Sequence, residues 1–205
     1  MKDGFIKVAA GTPEVRVADC EFNAASILKT IESAELQGVK ILALPEMCVT
    51  GYTCSDLFLQ RALTLGAEDA LSHILASSAN KDMLFTVGLP VMHSGKLYNC
   101  AAVCCRGELL ALVPKMFLPN YGEFYEKRWF VEGEKEAEPM IFAGRETHLG
   151  SKVLFRCASM PELCVGVEIC EDLWAPVPPS CALAQAGATL ILNLSASDEI
   201  GRAHV

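Results

Sequence analysis

The sequence has no apolar run approaching the roughly 20 residues that a membrane-spanning helix needs. Its opening residues, Met1-Lys2-Asp3-Gly4-Phe5, lack the apolar core and small-residue cleavage site of a secretory signal. Basic clusters are also scarce: the longest is Lys127-Arg128, and 17 Lys and Arg are outnumbered by 25 Asp and Glu, for a formal charge of −8. Phosphate neutralisation requires a dense basic face, so nucleic-acid binding is excluded, and a cytoplasmic protein without a membrane partner is expected. Metal-ligand patterns are missing too. The four histidines, His73, His93, His148 and His204, are scattered singly and the ten cysteines contain no CxxC pair, so no metal site is expected.

What is present is apolar substance: 52% of the 205 residues are hydrophobic, enough for one α/β domain with a real core. Cys100, Cys104, Cys105, Cys164 and Cys181 sit inside apolar runs, which reads as buried free thiols rather than a disulfide framework. Residues 5–10 form an expected strand. Beyond Asp19, a candidate N-cap, the spacing of Ala24, Ile27, Leu28, Ile31 and Ala34 predicts a helix ending near Gly38. A buried strand over 39–44 stops at Pro45, leaving Glu46 just past its end.

Leu63, Ala67, Ala70, Leu71, Ile74 and Leu75 predict a second helix, followed by a strand over 83–89. Two apolar runs between Leu97 and Val113, joined by Cys105-Arg106-Gly107-Glu108, read as a β-hairpin, with Lys115 directly beyond it. Residues 119–139 lack clean periodicity and read as a long loop with a short helical turn. Strands over 153–157 and 163–169, a short helix over 181–186 and a strand over 188–194 follow. The sum is four or five buried strands, intervening helices and one hairpin, an α/β layered domain without internal repeats.

Three strand ends carry chemistry: Glu46, Lys115 and Cys170. If those strands are neighbours, a carboxylate, an ammonium and a thiol share one crevice, a set suited to attack on a carbonyl carbon. The glutamate takes the thiol proton, the thiolate attacks, and the lysine stabilises the developing oxyanion. Lysine also favours the thiolate, whereas Glu171 and Asp172 oppose it by their negative charge. The backbone N–H of Glu171 is a second candidate oxyanion donor. Each residue has a plainer reading: a cysteine as small buried hydrophobe, a lone glutamate as cap or surface charge, a snorkelling Lys115. For Glu123 and Glu126 the plainer reading is a solvated acidic loop, and for Trp129 and Phe130 it is packing.

At these residues the chain resembles the nitrilase superfamily, whose Glu-Lys-Cys set hydrolyses carbon–nitrogen bonds on an αββα sandwich. The matching stretches are Leu44-Pro45-Glu46, Pro114-Lys115-Met116-Phe117-Leu118-Pro119 with Glu123 eight positions past the lysine, and Cys170-Glu171-Asp172-Leu173-Trp174. A finer similarity, to the glutaminase domains of glutamine-dependent NAD synthetases, rests on Thr50-Gly51-Tyr52, Gly88-Leu89-Pro90 and Leu97-Tyr98-Asn99-Cys100-Ala101. It also rests on Leu118-Pro119-Asn120-Tyr121, Glu123-Phe124-Tyr125-Glu126, Arg128-Trp129-Phe130 and Asn193-Leu194-Ser195-Ala196-Ser197.

The resemblance implies Glu46 as general base, Lys115 as oxyanion stabiliser, Cys170 as nucleophile and Glu123 as a second, orienting glutamate. Tyr52, Tyr121, Phe124, Glu171 and Ser197 would line a glutamine pocket. It further implies ammonia release through a cysteine thioester and delivery to a C-terminal synthetase domain in cis that amidates nicotinic acid adenine dinucleotide, in a homo-oligomer when full length. ATP and magnesium would belong to that second domain, and no cofactor is expected in this chain. Residues 1–198 would then be a partial domain and 199–205, which depart from the family's continuation, a non-native tail. A free-standing amidase or nitrilase acting on another small amide, and a catalytically inactive fragment, are the alternatives.

Overall fold

The computed structural model describes residues 4–134 and 136–197; the expected tail lies outside them. Two sheets stack face to face. The larger has seven strands in the order β1-β2-β3-β4-β5-β9-β8 and the smaller three in the order β10-β11-β12. The strands of the larger are β1 (Val8–Ala10), β2 (Ile41–Ala43), β3 (Leu84–His93), β4 (Lys96–Cys105), β5 (Glu108–Pro114), β8 (Glu138–Phe142) and β9 (Arg145–Leu149). The smaller sheet consists of β10 (Phe155–Cys157), β11 (Met160–Ile169) and β12 (Leu190–Leu194), and β6 (Asn120–Tyr121) pairs with β7 (Phe124–Tyr125) as a separate ribbon.

Helices α1 (Cys20–Leu36) and α2 (Arg61–Ser77) cover one face of the larger sheet. Asp19 caps α1, its carboxylate accepting from the Phe22 N–H at 3.0 Å. Ala24, Ile27 and Ile31 of α1 and Leu71, Ile74 and Leu75 of α2 pack with Phe85, Val87, Ala102 and Cys104 of the sheet. The opposite face turns inward: Ile41, Ala101, Val103, Ala111 and Val113 meet Val165, Val167, Ile169, Leu192 and Leu194 of the smaller sheet. Period-2 alternation along β4 produces this split, with Ala101 and Val103 facing one way and Ala102 and Cys104 the other. Helix α3 (Pro179–Gln185) packs on the outer side of β11, where Gly166 leaves room for Leu183. The layers are therefore α, β, β, α. No helix of the described residues is long and apolar enough to cross a membrane.

The expected helices and the β4–β5 hairpin are present, and Arg106 and Gly107 turn that hairpin at φ values of 51° and 79°. Turns of the same kind join β3 to β4 through Ser94-Gly95 and β8 to β9 through Ala143-Gly144. The β6–β7 ribbon, inside the stretch expected as a long loop, and the β8–β9 hairpin are additions to the expected strands and hairpin. A further correction concerns adjacency. The strands preceding Glu46 and Lys115 share a sheet but are separated by β3 and β4, and the strand preceding Cys170 lies in the other sheet. The crevice forms across the sandwich rather than between neighbouring strands.

Candidate active site

Glu46 stands in the turn that leaves β2, and close backbone approach fixes the turn. A Cβ on Gly88 of β3 would lie 2.3 Å from the Met47 nitrogen, 2.5 Å from the Pro45 oxygen and 2.7 Å from the Glu46 Cα, so only glycine admits the turn this near the sheet. Met47 adopts a left-handed φ of 53° to complete it. Lys115 follows β5 directly, and its N–H donates to the Asn99 carbonyl at 2.8 Å, extending the β4–β5 ladder by one rung. Cys170 directly follows β11 and begins a 3-10 turn over Cys170–Trp174, with φ at 44°. That abrupt strand-to-helix turn presents the thiol at the top of the smaller sheet.

The side chains meet. Lys115 Nζ, fully buried, lies 2.7 Å from Glu46 Oε1 and 2.5 Å from Glu126 Oε1. Asn99 Nδ2 donates to Glu46 Oε1 at 2.7 Å and to Glu126 Oε2 at 3.2 Å. The Ala196 N–H donates to Glu46 Oε2 at 3.1 Å, and the Tyr52 hydroxyl to Glu126 Oε1 at 2.7 Å. The Cys170 sulfur lies within the field of both Glu46 and Lys115, with Ser195 and the backbone of Ala196 nearby; the Ser195 hydroxyl itself donates to Asn193 Oδ1 at 2.6 Å.

The electrostatics follow from burial around a single cation. Burial is the largest influence on Glu46 and raises its pKa, against the opposing pull of Lys115. Burial alone would lower the pKa of Lys115, but the charges of Glu46 and Glu126 outweigh it and hold the ammonium protonated. Burial and the Glu46 charge push the Cys170 thiol up to about 11, the Lys115 charge opposing. The resting sulfur is therefore a neutral thiol at neutral pH, beside a carboxylate with an enhanced affinity for its proton.

The second glutamate is a correction. Glu123 is exposed and makes no hydrogen bond or ion pair among the described residues, whereas Glu126 is 1% exposed and salt-bridged to Lys115. The physical reason is the β6–β7 ribbon: Gly122 turns it at φ 57° and leaves Glu123 at its tip, and the 3-10 turn over Glu126–Arg128 then carries the carboxylate inward. Spacing from the lysine could not distinguish two acids in one loop.

Of the expected pocket residues, Tyr52, Phe124 and Tyr121 form an aromatic row, with Phe124 edge-on to each tyrosine at 6.1 Å between ring centroids. The Tyr121 hydroxyl donates to both Glu171 carboxylate oxygens, at 2.9 and 2.8 Å. Ser197 is exposed and makes no hydrogen bond among the described residues, whereas Ser195, two positions earlier, donates to Asn193 Oδ1 at 2.6 Å beside Cys170. Trp129 and Phe130 pack on Phe58, as expected of packing residues.

The sequence reading also missed Asn99 and Asp172 as site residues. Asp172 is buried and accepts from the Met116 and Phe117 N–H groups through Oδ1, at 2.9 and 2.8 Å, and from the Ile169 N–H through Oδ2 at 3.0 Å. It thereby ties the segment after Lys115 to the strand end before Cys170. No local pattern separates such a clamp from an ordinary acid in a 3-10 turn.

A sequence profile of the carbon-nitrogen hydrolase family matches residues 7–204. A glutamine-dependent NAD(+) synthetase of Mycobacterium tuberculosis is 39% identical over 201 residues, covering 98% of this chain and 30% of that protein. The human protein of that name is 31% identical, covering 90% of this chain and 27% of its own length. Among solved structures, a glutamine-dependent NAD(+) synthetase from Cytophaga hutchinsonii superposes with a TM-score of 0.81 at 34% identity, over 94% of this chain and 30% of that one. An amidase from Nesterenkonia sp., at 23% identity and a TM-score of 0.72, shares the fold over the whole of this chain and 71% of its own. The chain thus spans about 30% of the length of the curated relatives it matches most fully.

Proposed function

Because this chain belongs to the carbon-nitrogen hydrolase family, we propose that it is a glutamine amidohydrolase module that releases ammonia through a Cys170 thioester. The observation that carries the proposal is the buried lysine held by two carboxylates, with the thiol in the same field. In the reading we favour, Glu46 accepts the Cys170 proton as the sulfur adds to the side-chain amide carbon. The Lys115 ammonium and the backbone N–H of Glu171 stabilise the resulting oxyanion. Collapse breaks the carbon–nitrogen bond, the proton on Glu46 passes to the leaving nitrogen, and ammonia departs. Water, deprotonated by the same carboxylate, then opens the thioester to glutamate and the free thiol.

Glutamine is preferred as substrate because the rim offers a carboxylate to its α-ammonium. Glu171 is half-buried and held by Tyr121, while the Tyr52–Phe124 edge supplies an apolar wall for the side-chain methylenes. The likeness to glutamine-dependent NAD(+) synthetases supports a parent in which the ammonia serves amidation of nicotinic acid adenine dinucleotide in a second domain of a cytoplasmic oligomer. ATP and magnesium are assigned there rather than to these residues.

The test is ammonia release from glutamine, with asparagine and acetamide as competing amides. Cys170→Ala is expected to abolish release while leaving the thermal transition near that of the parent. Undiminished release in Cys170→Ala ends the proposal, and faster turnover of acetamide than of glutamine transfers it to a general amidase.

A further inference from the structure

Building on the amide-hydrolysing reading above, we propose that Asn99 is a positioning residue that keeps Glu46 free to accept a proton, by supplying the hydrogen-bond donors that let two carboxylates share one ammonium. Two anions and one cation lie together with their side chains at most 1% exposed, so solvent screens them weakly, and like charges so placed ordinarily resolve the conflict by binding a proton. A proton resting on Glu46 would remove the acceptor that the Cys170 thiol requires. Hydrogen bonds to the ionised form are what can hold both carboxylates charged.

The donor inventory singles out Asn99. Lys115 reaches only one oxygen of each carboxylate, Oε1 in both. Glu46 Oε2 has the Ala196 N–H, and Glu126 Oε1 also has Tyr52. Glu126 Oε2 has Asn99 alone among the described residues, and Glu46 Oε1 receives Asn99 beside the lysine. One amide nitrogen, with two hydrogens, therefore bridges both acids. The side chain cannot be turned round, because its carbonyl would then face two carboxylates. As placed, that carbonyl is buried and has no partner among the described residues. A buried amide that leaves its oxygen unsatisfied is held for its donors, and its hydrogen bond to Glu46 acts to lower that group's pKa, against burial. The Asn99 backbone carbonyl meanwhile accepts from the Lys115 N–H, so the residue also sets the lysine's register.

The test uses Asn99→Leu, which keeps the volume and removes the donors, and Asn99→Asp, which keeps the shape and replaces the donors with a third acceptor. Asn99→Ser, smaller and retaining one donor, is the second neutral variant should the leucine fail to fold. Two pH profiles are recorded for each folded variant: kcat/KM for glutamine, and the rate of Cys170 alkylation by iodoacetamide, read at its peptide by mass spectrometry. The acid limb is expected to move upward by about one pH unit or more in Asn99→Leu, further in Asn99→Asp and less in Asn99→Ser, with rates recovering above the limb. A limb that stays in place while the rate falls at every pH overturns the proposal, since loss of packing alone produces that pattern. The alkylation profile needs no glutamine, so a chain inactive on glutamine sinks the functional reading and still decides the role of Asn99.

Discussion

Cys170 and Met47 occupy left-handed backbone, at φ values of 44° and 53°, next to the carboxylate and thiol that the chemistry needs. Non-glycine residues pay roughly 1–2 kcal/mol there, and each is held by neighbours that leave no alternative. For Met47 the holding neighbour is Gly88, whose missing Cβ would strike three backbone atoms of the Pro45–Met47 turn. Gly88→Ala should therefore displace Glu46 and lower stability by about 1–3 kcal/mol, measured by denaturant unfolding, with ammonia release reduced far more than the folded fraction. For Cys170 the neighbour is Asp172, whose folded pKa burial raises from 3.8 to about 6 against the pull of its backbone donors. A raised folded pKa means that the native state favours the protonated acid. Its contribution is thus fully present below about pH 4 and is lost as pH rises through about 6, a swing of roughly 3 kcal/mol. Asp172→Asn lacks that titration. Its deficit relative to the parent should be largest near pH 4 and shrink towards pH 7, and a deficit constant across that range would count against the assignment.

The helices and hairpins were legible where a pattern repeats over many residues. Period-3.6 apolar spacing placed α1 and α2, and Arg106-Gly107 marked a two-residue turn. What escaped was short or non-local. Strands β6 and β7 have two residues each, too few to alternate, and β8 and β9 turn through Ala143-Gly144, where alanine is an unusual occupant of positive φ. The same scale explains the site. Glu46, Lys115 and Cys170 each follow a readable strand, so they could be named from the chain. Glu126, Asn99 and Asp172 are recognisable only by what they touch elsewhere along the chain: Lys115 is 11 positions from Glu126, Glu46 is 53 from Asn99, and Met116 is 56 from Asp172. Element ends also supply a control: Asp19→Ala removes the α1 cap and should cost about 1 kcal/mol in thermal unfolding, without altering catalysis, because α1 lies on the face remote from Cys170.

At the scale of the molecule, the candidate site is divided between two sheets. Glu46, Lys115 and Asn99 are carried by the seven-stranded sheet, while Cys170 and Ala196 follow strands of the three-stranded one. The apolar layer between the sheets therefore sets how far the sulfur stands from its proton acceptor. In that layer the larger sheet contributes the small side chains of Ala101 and Ala111, clustered with Val165, Val167 and Leu192. Ala101 and Ala102 offer a matched comparison: adjacent on β4, both fully buried, one facing the second sheet and the other the helices. Enlarging either to valine should overpack the core by about 1–3 kcal/mol, visible as similar losses in unfolding free energy. Only Ala101→Val presses the sheets apart. Ammonia release per folded molecule, and Cys170 alkylation with it, should fall about tenfold or more in Ala101→Val and change little in Ala102→Val. Equal losses of activity in the two variants would show that inter-sheet spacing does not govern the thiol–carboxylate contact.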